Sequence, residues 1–266
     1  MIPITLTIAG SDSGGGAGIQ ADLKTFSALK TYGASVITAL TAQNTLGVTA
    51  IHDVPTDFIS AQMDAVFSDL NVKAVKIGML SQPAIIESVA NGLKKHDVET
   101  IVLDPVMVAE SGDPLLAEEA VSSLVEELFP LATLITPNLH EAARLLNTEM
   151  ATTDTLMEEQ ARALANMGAK SVLVKGGHSS GKTASDILFL EDKAHWYSAP
   201  FVDTKNTHGT GCSLSSAIAS HLAFGDALPV AVEKSKLWLS NAIVHADDLI
   251  IGSGAGPVHH FHSLWN

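Results

Sequence analysis

Six short runs of apolar, largely β-branched residues recur along the chain, at residues 4–9, 35–40, 74–77, 100–103, 133–136 and 171–174. They are mostly apolar, without alternation of apolar and polar positions. Strands covered on both faces look like this, because neither side meets water. Between the runs the spacing becomes helical. Over residues 17–31, Ile19, Leu23, Phe26 and Leu29 fall on one stripe, and over 58–70 Phe58, Met63, Val66, Phe67 and Leu70 do the same. Helical spacing returns at 138–146 and 156–167, and two longer helices are predicted at 211–223 and 228–247. Strand and helix alternate for most of the length. This predicts an α/β fold with a mainly parallel central sheet between helical layers. In open sheets of this kind ligands bind beyond the carboxyl ends of the strands, so the loops that follow strands are the informative ones.

One such loop, KGGHSSGKT at 175–183, matches the phosphate-loop pattern G-x-x-x-x-G-K-[ST] at Gly176, Gly181, Lys182 and Thr183. A phosphate loop must open a helix, whose free N–H groups supply much of the binding. The residues that follow, ASDILFLEDKAHWYSAP, give two β-like runs around the polar stretch Glu191-Asp192-Lys193. They predict a hairpin, and the glycines read as an exposed turn between strands. Lys175, Gly176 and Gly177 differ, since they end a parallel strand and can still face a ligand.

A second stretch, NTHGTGCSLSSAIAS at 206–220, has what the first lacks. His208-Gly209-Thr210-Gly211 is a glycine-punctuated turn, and a small-residue helix follows it. Glycines let the backbone approach a ligand, and the helix end adds roughly half a positive charge. An anion formed in a reaction would be stabilised there without a formal cation. Cys212 falls in the first helical turn. A small buried space-filler is one reading of it. The other is a reactive thiol, since helix N-termini lower a thiol's pKa and leave it partly ionised at neutral pH.

Composition narrows the choice. The 266 residues are 46% hydrophobic and 17% charged, enough for a large core and not the profile of a disordered chain. With 15 basic against 29 acidic side chains the formal charge is −14. Such a surface repels phosphate backbones and anionic lipid, which argues against nucleic-acid and membrane-surface roles. No apolar stretch is long enough to span a bilayer, and MIPITLTIAGSD has no basic lead-in of the secretory kind. The lone cysteine excludes an internal disulfide, so a reducing cytoplasm is the expected setting.

Eight motifs in order resemble the hydroxymethylpyrimidine/phosphomethylpyrimidine kinases of thiamine biosynthesis, in the ribokinase-like superfamily. They are AGSDSGGGAGIQADLKTF (9–26), TALTAQNTLGV (38–48), KIGML (76–80), LDPVMVAESGDPLL (103–116), TPNLHEA (136–142), VKGGH (174–178), NTHGTGC (206–212) and GPVHHFH (256–262). The resemblance covers essentially the whole chain. It implies a three-layer α/β/α sandwich without a separate lid domain, a single domain over 1–266, and phosphoryl transfer from ATP with Mg²⁺. It implies an aminopyrimidine alcohol and its monophosphate as acceptors, and a homodimer.

By resemblance, Gly209, Thr210 and Gly211 form the anion hole for the moving phosphoryl group, with Cys212 and Lys175 as further catalytic residues. Lys175, Thr207, Gly209, Gly211 and Lys236 would bind ATP, although Lys236 also reads as part of a solvated helix face. Glu141 and Asp104 would organise the metal. Asn138 and Glu141 read equally as a capping box, and both roles can hold together. Gly10, Asp22, Gln43 and Met79 would meet the acceptor. Gln43 suits an aminopyrimidine edge, which sets a ring-nitrogen acceptor beside an amino donor. Met79 taken alone reads as ordinary core. The AESGD stretch would be a mobile flap. Most ribokinase-like enzymes carry an aspartate where Cys212 stands, and a subset of pyrimidine and pyridoxal kinases has the cysteine. His259, His260 and His262 are expected to be structural and are assigned no metal. The alternatives are a pyridoxine/pyridoxal kinase of the same architecture, or a non-catalytic vitamin- or nucleotide-binding sensor.

Overall fold

Each of the six apolar runs becomes a strand. The computed structural model describes residues 1–108, 112, 115–117, 119–177 and 183–265. Its strands are β1 (Ile4–Asp12), β2 (Tyr32–Asn44), β3 (Gly47–Asp53), β4 (Val72–Ile77), β5 (Ile101–Leu103), β6 (Leu134–Ile135), β7 (Ser171–Lys175), β8 (Thr183–Leu190) and β9 (Lys193–Pro200). They form one sheet in the order β3-β2-β1-β4-β5-β6-β7-β8-β9. From β2 to β7 every neighbouring pair is parallel. At the two ends of the sheet β3 pairs antiparallel with β2, and β8 pairs antiparallel with β7 and β9.

The helices are α1 (Gly18–Ala28), α2 (Thr56–Asp69), α3 (Pro83–Lys95), α4 (Ala120–Ser123), α5 (Leu139–Leu146), α6 (Asp154–Asn166), α7 (Thr210–Ala223) and α8 (Leu228–Val244). They cover both faces of the sheet. Alternate strand residues point to opposite sides. Leu6, Ile8, Val75, Leu103 and Val172 face one core with Met63 of α2, Ile86 of α3, Ala142 of α5 and Leu164 of α6. Ala74, Val102 and Leu173 face the other with Phe26 of α1, Ile218 of α7 and Val232 of α8. Both faces are therefore dry, which is why these strands lack polar alternation. Each fully buried Leu or Ile contributes about 1.5–3 kcal/mol. The result is the three-layer α/β/α sandwich that was expected.

The predicted hairpin is also present. β8 and β9 are joined by Glu191 and Asp192, with φ of 49° and 58°. Two consecutive left-handed residues make the tight turn whose twist matches antiparallel strands. Residues 178–182 lie outside the described residues, so the Gly181-Lys182 part of the phosphate-loop match does as well. Thr183 opens a strand, and no helix N-terminus follows the pattern. Most of the AESGD stretch is outside the described residues too. The predicted 228–247 helix stops at Val244, and a 3-10 turn at Ala246–Asp248 follows. β3, α3, α4 and the π-helical turn Leu124–Leu128 that continues α4 are additions to the predicted elements. Among the described residues no helix is long and apolar enough to cross a membrane.

Candidate active site

The carboxyl ends of the parallel strands open onto a cavity of about 650 Å³. Gly10 and Asp12 of β1, Thr41 and Gln43 of β2, and Met79 after β4 line one half. Asp104 after β5, Lys175 of β7, Asp186 of β8 and Lys236 of α8 line the other. The N-terminus of α7 stands between the two halves.

Glycine is required at that helix start. Gly209 is the N-cap, at φ 81°. Its backbone lies so close to Gly16 that any Cβ would collide with the Gly16 carbonyl oxygen. A left-handed conformation and a backbone-to-backbone approach both select glycine. On the other side, a Cβ on Gly211 would sit 3.1 Å from Lys175 Nζ and 3.4 Å from Asp104 Oδ2. The turn thus touches the β1–α1 loop with one residue and the lysine–aspartate pair with another. Amides in a helix's first turn have no acceptor within the helix, so this turn presents donors and dipole charge to the cavity.

Both cavity lysines are paired. Lys175 Nζ donates to Asp104 Oδ1 at 2.8 Å, and Asp104 also accepts from Thr136 Oγ1 at 3.0 Å. Burial alone would lower the Lys175 pKa, but the Asp104 and Glu141 carboxylates hold it above its ordinary value. Lys236 Nζ donates to Asp186 Oδ2 at 2.7 Å, and Gly176 N donates to Asp186 Oδ1 at 3.0 Å. The Lys236 side chain is 12% exposed, so it stands in the cavity wall and not on a solvated helix face. Asp186 was not anticipated. A lone aspartate inside the apolar run TASDILFL was the available signal.

Asn138 and Glu141 form the capping box of α5. Asn138 Oδ1 accepts from Glu141 N at 2.9 Å, and Glu141 Oε2 accepts from Asn138 N at 2.8 Å. Burial raises the Glu141 pKa to about 7, with Lys175 opposing and Asp104 adding to the rise. Asp104 and Glu141 thus share one lysine between two carboxyls. Hard oxygen donors short of cationic charge suit a divalent magnesium ion, which keeps most of its waters.

Two expectations need correction. Asp22 does not reach the cavity. It is fully buried in α1, where it accepts from Lys76 Nζ at 2.8 and 2.9 Å, Thr7 Oγ1 at 2.6 Å and Ser216 Oγ at 2.7 Å. A carboxylate with these partners ties β1, α1, β4 and α7 together beneath the site and has no room for an acceptor molecule. Cys212 does line the cavity, but it is not ionised at neutral pH. Burial pushes its thiol up to about 11, against the pull of the buried Lys76 ammonium and a hydrogen bond from Gly18 N. Asp22 and Asp104 add to the rise. The helix end is outweighed by desolvation and by two nearby anions.

Gly10, Gln43 and Met79 fall together as expected. A Cβ on Gly10 would sit 3.2 Å from Met79 Sδ, so this corner is flat and narrow. Asp12 turns away from solvent to close the glycine-rich loop, accepting from the amides of Gly14, Gly16 and Ala17 at 2.8, 3.0 and 2.9 Å. The C-terminal segment holds the same region. Gly254 N and Ala255 N donate to Thr45 Oγ1 and O at 3.2 and 3.1 Å, and His208 N donates to Gly256 O at 3.0 Å. His260 lies 2.9 Å from Ser213 Oγ, and burial takes its pKa down to about 3.

The profile of the family described as Phosphomethylpyrimidine kinase matches residues 12–259. A Rhizobium meliloti (strain 1021) protein called hydroxymethylpyrimidine/phosphomethylpyrimidine kinase is 57% identical over 265 residues, covering 100% of this chain and 99% of that protein. Among solved structures, Clostridium difficile 630 phosphomethylpyrimidine kinase is 47% identical with a TM-score of 0.80, over 91% of this chain and 99% of that one. Bacillus subtilis pyridoxal kinase, solved as an ADP complex, is 36% identical with a TM-score of 0.92 over 100% of both chains.

Proposed function

The chain belongs to the phosphomethylpyrimidine kinase family, and we propose that its cleft transfers the terminal phosphoryl group of ATP to 4-amino-5-hydroxymethyl-2-methylpyrimidine, and a second one to the resulting monophosphate. The observation that carries this reading is the position of the α7 N-terminus. It stands between a lysine-lined half, suited to a polyphosphate, and a flat corner at Gly10, Gln43 and Met79, suited to a ring.

The bond changes are simple. The acceptor oxygen attacks the terminal phosphorus, the bridging oxygen leaves with ADP, and the hydroxyl proton departs. Catalysis rests on positioning and on stabilising charge spread over the moving group. Gly209, Thr210 and Gly211 line the wall where that charge develops, with Thr207 beside them. The Thr210 amide donates to Thr207 O at 3.2 Å, so the Gly209 and Gly211 amides are the donors left for the phosphoryl group. Lys175 and Lys236 exchange part of their aspartate contacts for phosphate oxygens. Glu141 and Asp104 would hold magnesium, which neutralises phosphate charge when bound. Gln43 presents an amide to the ring edge. Cys212, a neutral thiol at neutral pH, takes the alcohol's proton only through its scarce thiolate form, and a phosphate acceptor, already anionic, needs no such base.

The enzyme acts as one domain over residues 1–266, as a homodimer of the cytoplasm, and light scattering checks the oligomer. The decisive assay is ADP release from ATP and Mg²⁺ with each acceptor. Release with the aminopyrimidine alcohol and again with its monophosphate is expected. Release with a pyridine alcohol alone would favour the pyridoxal-kinase reading, to which the 0.92 TM-score lends weight. Release with neither would favour a binding protein.

A further inference from the structure

His208 directs Nε2 at Asp12 Oδ2, 2.9 Å away. Its ring packs on Gly16, where any Cβ would collide with it. Burial alone would raise the Asp12 pKa, but hydrogen bonds from His208 and from the amides of Ala17 and Gly14 hold it below the usual carboxylate range. A carboxylate oxygen only accepts, so His208 Nε2 carries a proton.

The same Nε2 lies 3.5 Å from Gln43 Nε2. An amide NH₂ only donates, so two donors face each other. At the other end, Gln43 Oε1 lies 3.0 Å from Thr41 Oγ1, whose single proton also has Ser11 O within 3.1 Å. Half a turn of the carboxamide resolves both conflicts. Its oxygen then becomes a second, longer acceptor for the one Nε2–H that Asp12 holds, its nitrogen donates to Thr41, and Thr41 donates to Ser11. Oxygen and nitrogen exchange places without a change of shape.

We propose that His208, held by Asp12, is a specificity-determining positioning residue that fixes the Gln43 carboxamide with Oε1 toward His208 and Nε2 toward Thr41. The proposal rests on the kinase reading above. It adds how the acceptor is chosen. The locked amide still has one free lone pair and one free N–H for the ring. An aminopyrimidine edge matches them in one order only, because its ring nitrogen only accepts and its amino group only donates. A hydroxypyridine alcohol tolerates either order, because its hydroxyl both donates and accepts. Loss of the lock therefore penalises the aminopyrimidine more.

The test is the ratio of Kd values for 4-amino-5-hydroxymethyl-2-methylpyrimidine and pyridoxine, read by calorimetry on the whole protein, with ADP release measured alongside. In His208→Asn, which cannot reach Asp12 from the Nε2 position, the preference for the aminopyrimidine falls about fivefold, the scale of one hydrogen bond. His208→Gln places an amide N–H where Nε2 was and keeps the preference within about twofold. Thr41→Val releases the other end of the amide and shifts the ratio in the same direction, which keeps the test open if His208→Asn does not fold. In a Gln43→Ala background the His208 substitution leaves the ratio unmoved. Equal weakening toward both alcohols, or a shift that persists in Gln43→Ala, overturns the proposal. ADP release that fails while the ratio behaves as expected overturns only the kinase reading. A wild-type protein that binds neither alcohol overturns both.

Discussion

At the scale of single residues, ionisation separates Glu141 and the Cys212 thiol from their free counterparts. Cys212 titrates near 11. Its thiolate is therefore scarce at neutral pH and grows about tenfold per pH unit. Alkylation of Cys212 by iodoacetamide is expected to rise with a midpoint near 11. A midpoint at or below the ordinary thiol value would show that the helix end dominates after all. Cys212→Ala is expected to slow the first phosphoryl transfer by about 10²-fold, the usual scale of general-base loss, and the second far less. Equal losses in single-turnover rates would count against a base role. Glu141 gives a stability prediction of definite sign. Its folded pKa is raised to about 7, so between the unfolded carboxyl value and that point the folded state binds more protons than the unfolded one. Stability then falls as pH rises through this window. Thermal melts across it should show wild type losing ground to Glu141→Gln, with added magnesium narrowing the gap most at the alkaline side.

At the scale of elements, the α7 turn admits little change. Gly209→Ala places a methyl group against the Gly16 carbonyl in a left-handed backbone. The expected result is a loss of about 10²-fold in kcat, comparable to losing an oxyanion donor, with binding of ADP reduced less. An unaltered kcat would mean that the turn is not the anion hole. The strands that form the parallel centre were legible because both of their faces are buried. The α7 turn and the α5 capping box were legible because their chemistry is local. β3 was not, being an edge strand with exposed residues over Thr49–His52 and no buried period to read. Asp22 was misplaced because a loop carboxylate and a buried one look alike until the partner is known. That partner, Lys76, comes from a strand more than fifty residues away. Asp186 escaped for the same reason, since its meaning depends on Lys236.

At the scale of the whole molecule, the Lys76–Asp22 pair joins β1, α1, β4 and α7 at complete burial. Removing one partner leaves the other charged and dry, so Lys76→Met is expected to cost about 3–5 kcal/mol in urea unfolding. Adding Asp22→Leu should recover most of that loss, and no recovery would mean that the pair acts through something other than charge. The −14 surface around a cavity with two lysines also means that ATP approaches against the overall field. Its association rate is therefore expected to increase with salt before screening weakens the lysine contacts. Finally, the C-terminal segment reaches back to Thr45 and His208 through Gly254, Ala255 and Gly256. Loss of the stretch from Gly252 onward would keep Gln43, Lys175, Cys212 and Lys236 and yet break the backbone bonds that moor Thr45 and His208 beside the ring corner. The shape of the cleft thus depends on a stretch that supplies none of its lining, as a case depends on its clasp.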